Sequence, residues 1–63
     1  MDKAERTREF EELLDELSYQ VTAARTAGMD RPEELRRALK TIGKLAADID
    51  AIAVTEVAAR QDD

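Results

Sequence analysis

The feature that most constrains this chain is a pair of apolar rows on either side of a short turn-forming segment. The first row advances in steps of four and three residues and contains Phe10, Leu14, Leu17, Val21, Ala24 and Gly28. The second advances in steps of three and four and contains Leu35, Ala38, Ile42, Leu45, Ile49 and Ile52. Residues spaced in this way lie on one side of an α-helix. The sequence therefore predicts an all-α fold, a two-helix antiparallel hairpin whose inner side needs a partner.

The segment between the rows carries helix stop and start signals. Gly28 can adopt a left-handed conformation and is expected to end the first helix. Asp30 and Glu33 have the spacing of a capping box, and Pro32 suits the first turn of a helix. Because proline disfavours helical geometry in the preceding residue, Arg31 is an alternative cap. We predict one hairpin domain over 1–63, with a helix over about 3–27, a turn over 28–31, a helix over about 32–60 and a frayed end at 61–63.

A chain of this size buries little surface on its own. Its 63 residues contain no Cys and no His, so neither a disulfide nor an imidazole-bound metal can stabilise it. Domains of this size without such devices usually need a partner chain. Apolar residues beside both rows make each stripe broader than a two-helix seam, which suits a four-helix bundle. We therefore predict dimerisation through a self-association core of Phe10, Leu14, Leu17, Val21, Leu35, Leu39, Ile42, Leu45, Ile49 and Ile52.

Charge is sorted along the predicted hairpin. Residues 1–17 have a net charge of −4, residues 18–45 a net charge of +3, and residues 46–63 a net charge of −4. Folding at Gly28 brings the two acidic segments together at one end and leaves the turn end basic. Two hairpins packed antiparallel would set each basic end beside an acidic end, and the parallel arrangement would be repulsive. We therefore expect a homo-oligomer in the form of an antiparallel dimer.

Few residues in the chain could support catalysis. Without His or Cys, the candidates are carboxylates, Lys and hydroxyl groups. Asp48 and Asp50 are two residues apart on a predicted helix and so point to different sides. There is no Gly-rich phosphate loop, and two helices enclose no pocket of the usual kind. We expect no enzyme activity, no catalytic or metal-binding residue, no cofactor and no small-molecule ligand.

A basic cluster near the turn has two interpretations. It consists of Arg31, Arg36, Arg37, Lys40 and Lys44. Such a patch could bind phosphates, or it could be a solvated surface that complements an acidic protein partner. The chain has an isoelectric point of about 4.6 and only two aromatic residues, which disfavours nucleic acid as the partner. A nucleic-acid-binding regulator therefore stands as the alternative hypothesis.

The second half of helix two carries further apolar residues on its outer side. They are Ala47, Ala51, Val54, Val57 and Ala58. They are either ordinary helix-forming residues at the surface or a second contact surface for a partner. Tyr19 lies outside the first row and is a candidate anchor or a half-exposed side chain. Glu56 continues the second row, where it either fixes the register or marks the end of the core.

The N-terminal residues are charged, without the apolar segment of a signal peptide. The longest apolar run, 51–54, is far shorter than the roughly 20 residues that a membrane-spanning helix needs. We therefore expect a cytoplasmic protein that does not use the membrane. In length and plan the chain resembles Rop-type plasmid regulators, whose two-helix chains dimerise into antiparallel four-helix bundles. No residue is carried over, because the Cys, His and RNA-facing residues of that family have no counterpart here.

These observations favour a small non-catalytic accessory or regulatory protein that acts through protein–protein interaction. It would self-associate, dock on a larger partner, or both. The alternatives are the nucleic-acid-binding regulator and a small structural subunit of a larger particle.

Overall fold

The computed structural model describes residues 2–61 as two long helices joined by a tight turn. Helix α1 occupies Lys3–Ala27, helix α2 occupies Pro32–Gln61, and a 3₁₀ turn at Gly28–Asp30 lies between them. The helices run antiparallel and pack against each other, and the described residues contain no strand. The predicted all-α helical hairpin is confirmed. Of the predicted frayed end, Gln61 is the last residue of α2, and residues 62 and 63 lie outside the described residues.

Both ends of α1 have defined caps. At the start, an Oδ1 atom of Asp2 accepts a hydrogen bond of 2.8 Å from the backbone N–H of Glu5. This bond satisfies one of the N–H groups that the first turn of a helix leaves unpaired. At the other end, Gly28 has a φ of 54°, and its N–H donates to the carbonyl oxygen of Ala24. A side chain at that φ would be strained, so glycine is the residue that allows the chain to leave α1 here.

The start of α2 differs from the predicted capping box. The carbonyl oxygen of Arg31 accepts a hydrogen bond of 2.9 Å from the N–H of Leu35, which makes Arg31 the cap residue. Within the described part of the chain, the Asp30 side chain makes no capping hydrogen bond. Pro32 explains the difference, because its ring holds Arg31 in a non-helical conformation, with φ −130° and ψ 69°. The alternative cap is therefore the correct one.

The hairpin is a thin rod with very little core. Its principal extents are 51 × 17 × 13 Å. Among residues 2–60, only Ala27 and Ala38 are buried, with 4% and 6% of their surface exposed. No larger apolar side chain in that range is fully buried. Two helices alone thus leave most of the apolar surface of this chain only partly covered.

Candidate interaction surfaces

The inner side of α1 keeps half of the predicted row and otherwise uses residues that flank it, including Leu13 and Ala27, which widen the predicted stripe. The partly or fully buried residues of that side are Phe10, Leu13, Leu17, Gln20, Ala24 and Ala27. Leu14 and Val21, which we expected on the inner side, are each 39% exposed. The two rows share three residues, so the heptad spacing alone does not distinguish them. Ala27 and Ala38, one on each helix near the turn, are the buried residues in the described part of the hairpin, and their burial identifies the row that contains Ala27 as the inner one.

The inner side of α2 follows the apolar row of the sequence. Its buried and half-buried apolar members are Leu35, Ala38, Ile42, Leu45, Ile49 and Ile52. Leu39, which we placed in the self-association core, lies beside this row and is 51% exposed. The expected core thus divides into residues that the hairpin covers and three, Leu14, Val21 and Leu39, that it leaves accessible.

An ion pair closes the inner surface at the end away from the turn. The Nη2 atom of Arg6 lies 3.0 Å from Oε2 of Glu56, and its Nε donates to the same oxygen at 3.0 Å. The two side chains are 24% and 31% exposed. Arg6 lies four residues before Phe10, and Glu56 lies four residues after Ile52, so the pair continues both inner rows. We predicted that Glu56 either fixes the register or marks the end of the core. In the structure it forms a polar contact that links the two helices at the end of the apolar surface.

Two grooves between the helices define the two broad sides of the hairpin. The first groove has a volume of about 320 Å³ and contains Thr7 and Phe10 of α1 with Ala53 and Val57 of α2. The second lies on the opposite side and contains Glu9, Leu13, Asp48, Ala51 and Thr55. Arg6 and Ile52 border both grooves, as expected for residues that lie between the helices. We call the side with the first groove the apolar side and the side with the second groove the polar side.

The apolar side extends along the whole hairpin. Leu14 and Val21 follow Thr7 at intervals of seven residues, and residues one heptad apart lie on the same side of a packed helix. By the same spacing, Leu39 and Ala46 share a side with Ala53. Most of the large apolar residues that the hairpin leaves exposed therefore lie on one surface. Burial of that surface requires something other than this copy of the chain.

The basic cluster is entirely exposed. Arg36, Arg37 and Lys40 line a shallow depression on α2 together with Leu39. Arg31 forms an ion pair with Glu34, with 3.6 Å between Nη1 and Oε2 and side chains 62% and 58% exposed. In the described part of the chain, the other members, Arg36, Arg37, Lys40 and Lys44, form no ion pair. These cations are therefore available to a phosphate or to an acidic protein surface.

Four of the outer apolar residues of α2, Ala47, Ala51, Val54 and Ala58, are spaced by four, three and four residues along one unbroken helix and so lie in one row, with Val57 beside it. Ala47, Ala51, Val54, Val57 and Ala58 are all exposed. Val57 lines the groove of the apolar side, whereas Ala51 borders the groove of the polar side. Val54, which is 58% exposed, lies on the back of α2 between them. Tyr19 is 68% exposed, near the turn on the polar side, where it lines a shallow depression with Thr22 and Arg31.

Two kinds of site are absent from the described residues. No cluster of carboxylates there has the geometry to hold a metal ion. Neither helix in that range combines the length and the hydrophobicity that crossing a bilayer requires.

No protein-family model, curated protein or solved structure matches this chain.

Proposed function

We propose that this chain is a non-catalytic helical-hairpin protein that acts as an accessory or regulatory subunit through protein–protein contact. It self-associates, docks on a larger partner, or does both. The observation that supports this proposal most directly is the open apolar side. The cytoplasmic location is part of the same proposal and rests on the sequence alone.

The energetics of the isolated hairpin support the need for a partner. Burying one Leu or Val side chain is worth about 1.5–3 kcal/mol. In the hairpin, Leu14 is 39% exposed, Leu39 is 51% exposed and Val57 is 55% exposed, so much of that free energy is not realised. A chain of 63 residues is expected to have only a small free energy of unfolding. Covering the apolar side would supply what two helices alone cannot.

A second candidate function is supported by the basic cluster. Arg36, Arg37 and Lys40 are exposed, adjacent and without ion-pair partners in the described part of the chain. Such a group could contact nucleic-acid phosphates. The net charge of −5 opposes that interpretation over the molecule as a whole. A structural subunit of a larger particle would use the same apolar side and is a special case of the first proposal.

Analytical ultracentrifugation tests the first proposal. The wild-type chain should be helical and assembled at low micromolar concentration. The double variant Leu14→Glu, Leu39→Glu should be monomeric, because it places two carboxylates on a surface that must be dry in an assembly. The double variant Tyr19→Glu, Met29→Glu is the matched control. It adds the same charge at side chains that are 68% and 86% exposed and should assemble like the wild type.

The wild-type result carries the most weight. A stable, helical wild-type monomer at low micromolar concentration would overturn the proposal that the apolar side must be covered by protein. Equal loss of assembly in both double variants would show that added negative charge, and not the apolar side, controls association.

A further inference from the structure

We infer that the apolar side is covered by a second copy of this chain, turned end for end, with the two-fold axis at the level of Ser18 and Gly43. This inference rests on the proposed function and specifies the partner and its orientation. It follows from two rows of exposed residues that border the apolar side. We call them the α1 rim, which is Glu11, Ser18 and Arg25, and the α2 rim, which is Arg36, Gly43 and Asp50.

Both rims lie directly beside the exposed apolar residues. Ser18 is four residues after Leu14, and Gly43 is four residues after Leu39, which are neighbouring positions on a helix surface. Members of each rim are seven residues apart, so each rim keeps to one edge of the apolar side. All six residues are exposed. None of the four charged ones has an ion-pair partner within the described part of the chain.

The rims are aligned with each other along the rod. The contact between Arg6 and Glu56 sets the relative position of the two antiparallel helices. Counting from that contact, Ser18 lies at the level of Lys44, one residue from Gly43. The centres of the two rims therefore lie at nearly the same level, and a single two-fold axis can pass by both.

An antiparallel dimer would pair the charges of the rims. When one hairpin is turned end for end onto another, symmetry places α1 against α1 and α2 against α2. Glu11 and Arg25 each lie seven residues from Ser18, so Glu11 of one copy comes level with Arg25 of the other. Asp50 and Arg36 have the same relationship about Gly43. Every charged rim residue thus meets an opposite charge, as flanking residues do in oriented helix pairs.

The opposite orientation would pair like charges. If both turns lay at the same end, symmetry would place α1 against α2 of the second copy. Glu11 would then lie at the level of Asp50, and Arg25 at the level of Arg36, each within about one residue. All four charged residues would face a residue of their own sign, which is destabilising. The same pattern therefore favours one orientation and disfavours the other.

Gly43 gives an independent indication of a close neighbour. A glycine inside a helix weakens it relative to alanine. Within the hairpin a Cβ atom at Gly43 would meet nothing within 4 Å, so the single chain gives no reason for glycine at this position. At a two-fold axis, Gly43 of one α2 would lie beside Gly43 of the other. The missing side chains would then permit close approach of the two backbones.

Pulsed dipolar spectroscopy on two spin-labelled variants tests the orientation. The chain has no Cys, so Ser18→Cys and Ala4→Cys each introduce a single labelling site. Ala4 lies two heptads before Ser18 and is exposed, so it is a matched control on the same edge of α1. In the inferred dimer the Ser18 labels lie near the axis, less than about 20 Å apart. The Ala4 labels should be about 42 Å apart along the rod, from the rise of 1.5 Å per residue.

The other outcomes identify which claim fails. Short distances at both sites would mean that the turns lie at the same end, which overturns the inferred orientation and leaves self-association intact. If the chain sediments as a dimer but the labels at position 18 are far apart, the two-fold axis does not lie at the level of Ser18. A chain that sediments as a monomer and gives no dipolar signal would overturn the proposed self-association itself.

Exchanging the two α1 rim charges tests whether they set the orientation. The variant Glu11→Arg, Arg25→Glu keeps the net charge of −5 and keeps the antiparallel pairs attractive. It also makes the pairs of the parallel arrangement attractive, because position 11 would carry a positive charge opposite Asp50 and position 25 a negative charge opposite Arg36. With spin labels at position 4, we expect a second population of label-to-label distances of less than about 20 Å, in addition to the one at about 42 Å. An unchanged single long distance would show that the rims do not select the orientation.

Discussion

Arg6 and Glu56 lie 50 positions apart in the chain and meet at 3.0 Å at the end of the hairpin opposite the turn. They occupy positions on the inner rows where apolar residues would otherwise continue. Their side chains are 24% and 31% exposed, against 62% and 58% for Arg31 and Glu34. The pair therefore links the two helices through a partly buried contact, whereas Arg31 and Glu34 form an exposed contact at the start of one helix.

The first prediction concerns this pair. Glu56→Gln should lower the free energy of unfolding by about 1 kcal/mol, because it removes the charge from a partly buried acceptor of the Arg6 guanidinium. The control is Glu34→Gln, which removes an exposed pair within one helix and should cost less than about 0.5 kcal/mol. Urea denaturation at one protein concentration measures both. Equal losses would mean that the contact between the helices is no stronger than a surface pair.

The second prediction concerns the inner rows. Leu17→Ala and Ile42→Ala should each cost about 2–5 kcal/mol, because both remove apolar volume from mid-helix positions that the hairpin covers. Arg8→Ala and Lys40→Ala alter exposed side chains and should stay within about 0.5 kcal/mol. Thermal melts of the four variants provide the comparison. Overlap between the two sets would show that the inner rows are wrongly assigned.

Much of the fold follows from the sequence because its signals are local. Helical periodicity, Gly28 and Pro32 each act within a few residues, and they indicate two helices and the turn between them. The choice between Leu13 and Leu14 on the inner side of α1 depends on how α2 rotates against α1. That rotation depends on packing across the hairpin, such as the burial of Ala27, which heptad spacing does not determine.

For the candidate surfaces too, the sequence predicts the local features but not the contacts between the helices. The basic cluster is a run of neighbouring residues and is visible in the sequence. The role of Arg6 is missed, because a lone arginine ahead of the apolar row looks like a solvated residue. A signal was nevertheless present: Arg6 precedes Phe10 by four residues, and the oppositely charged Glu56 follows Ile52 by four. Asp2 was similarly missed as the cap of α1, although Glu5 stands three residues after it.

The third prediction separates the two roles of the basic cluster. Changing Arg36, Arg37 and Lys40 to Glu should weaken self-association, because it reverses three charges at the end of the rod that faces an acidic end in an antiparallel dimer. The difference from wild type should shrink as salt is raised, since the Debye length is about 8 Å at 0.15 M. Sedimentation at several salt concentrations measures this effect.

A nucleic-acid assay decides the alternative. If the cluster binds phosphates, the wild-type chain should retard RNA or DNA in a gel, with an affinity that falls steeply with salt. Tight binding near physiological salt that disappears in the triple variant, while the dimer persists, would contradict the protein–protein role of the cluster.

The fourth prediction concerns the outer apolar row of α2, in which Ala51 and Val54 are exposed. Changing both to Glu should leave the helicity and the dimer intact, because neither side chain lies on the apolar side. If this surface is a second contact, the double variant should lose binding to a larger partner or assembly beyond the dimer, since buried unpaired carboxylates are costly. The matched control, Thr22→Glu with Thr26→Glu, adds the same charge at exposed positions of α1 outside the α1 rim. Circular dichroism and light scattering follow folding and assembly, and unfolding of the α2 variant would place these residues in the core of the fold. Unchanged higher assembly and partner binding would identify them as ordinary surface residues of a helix.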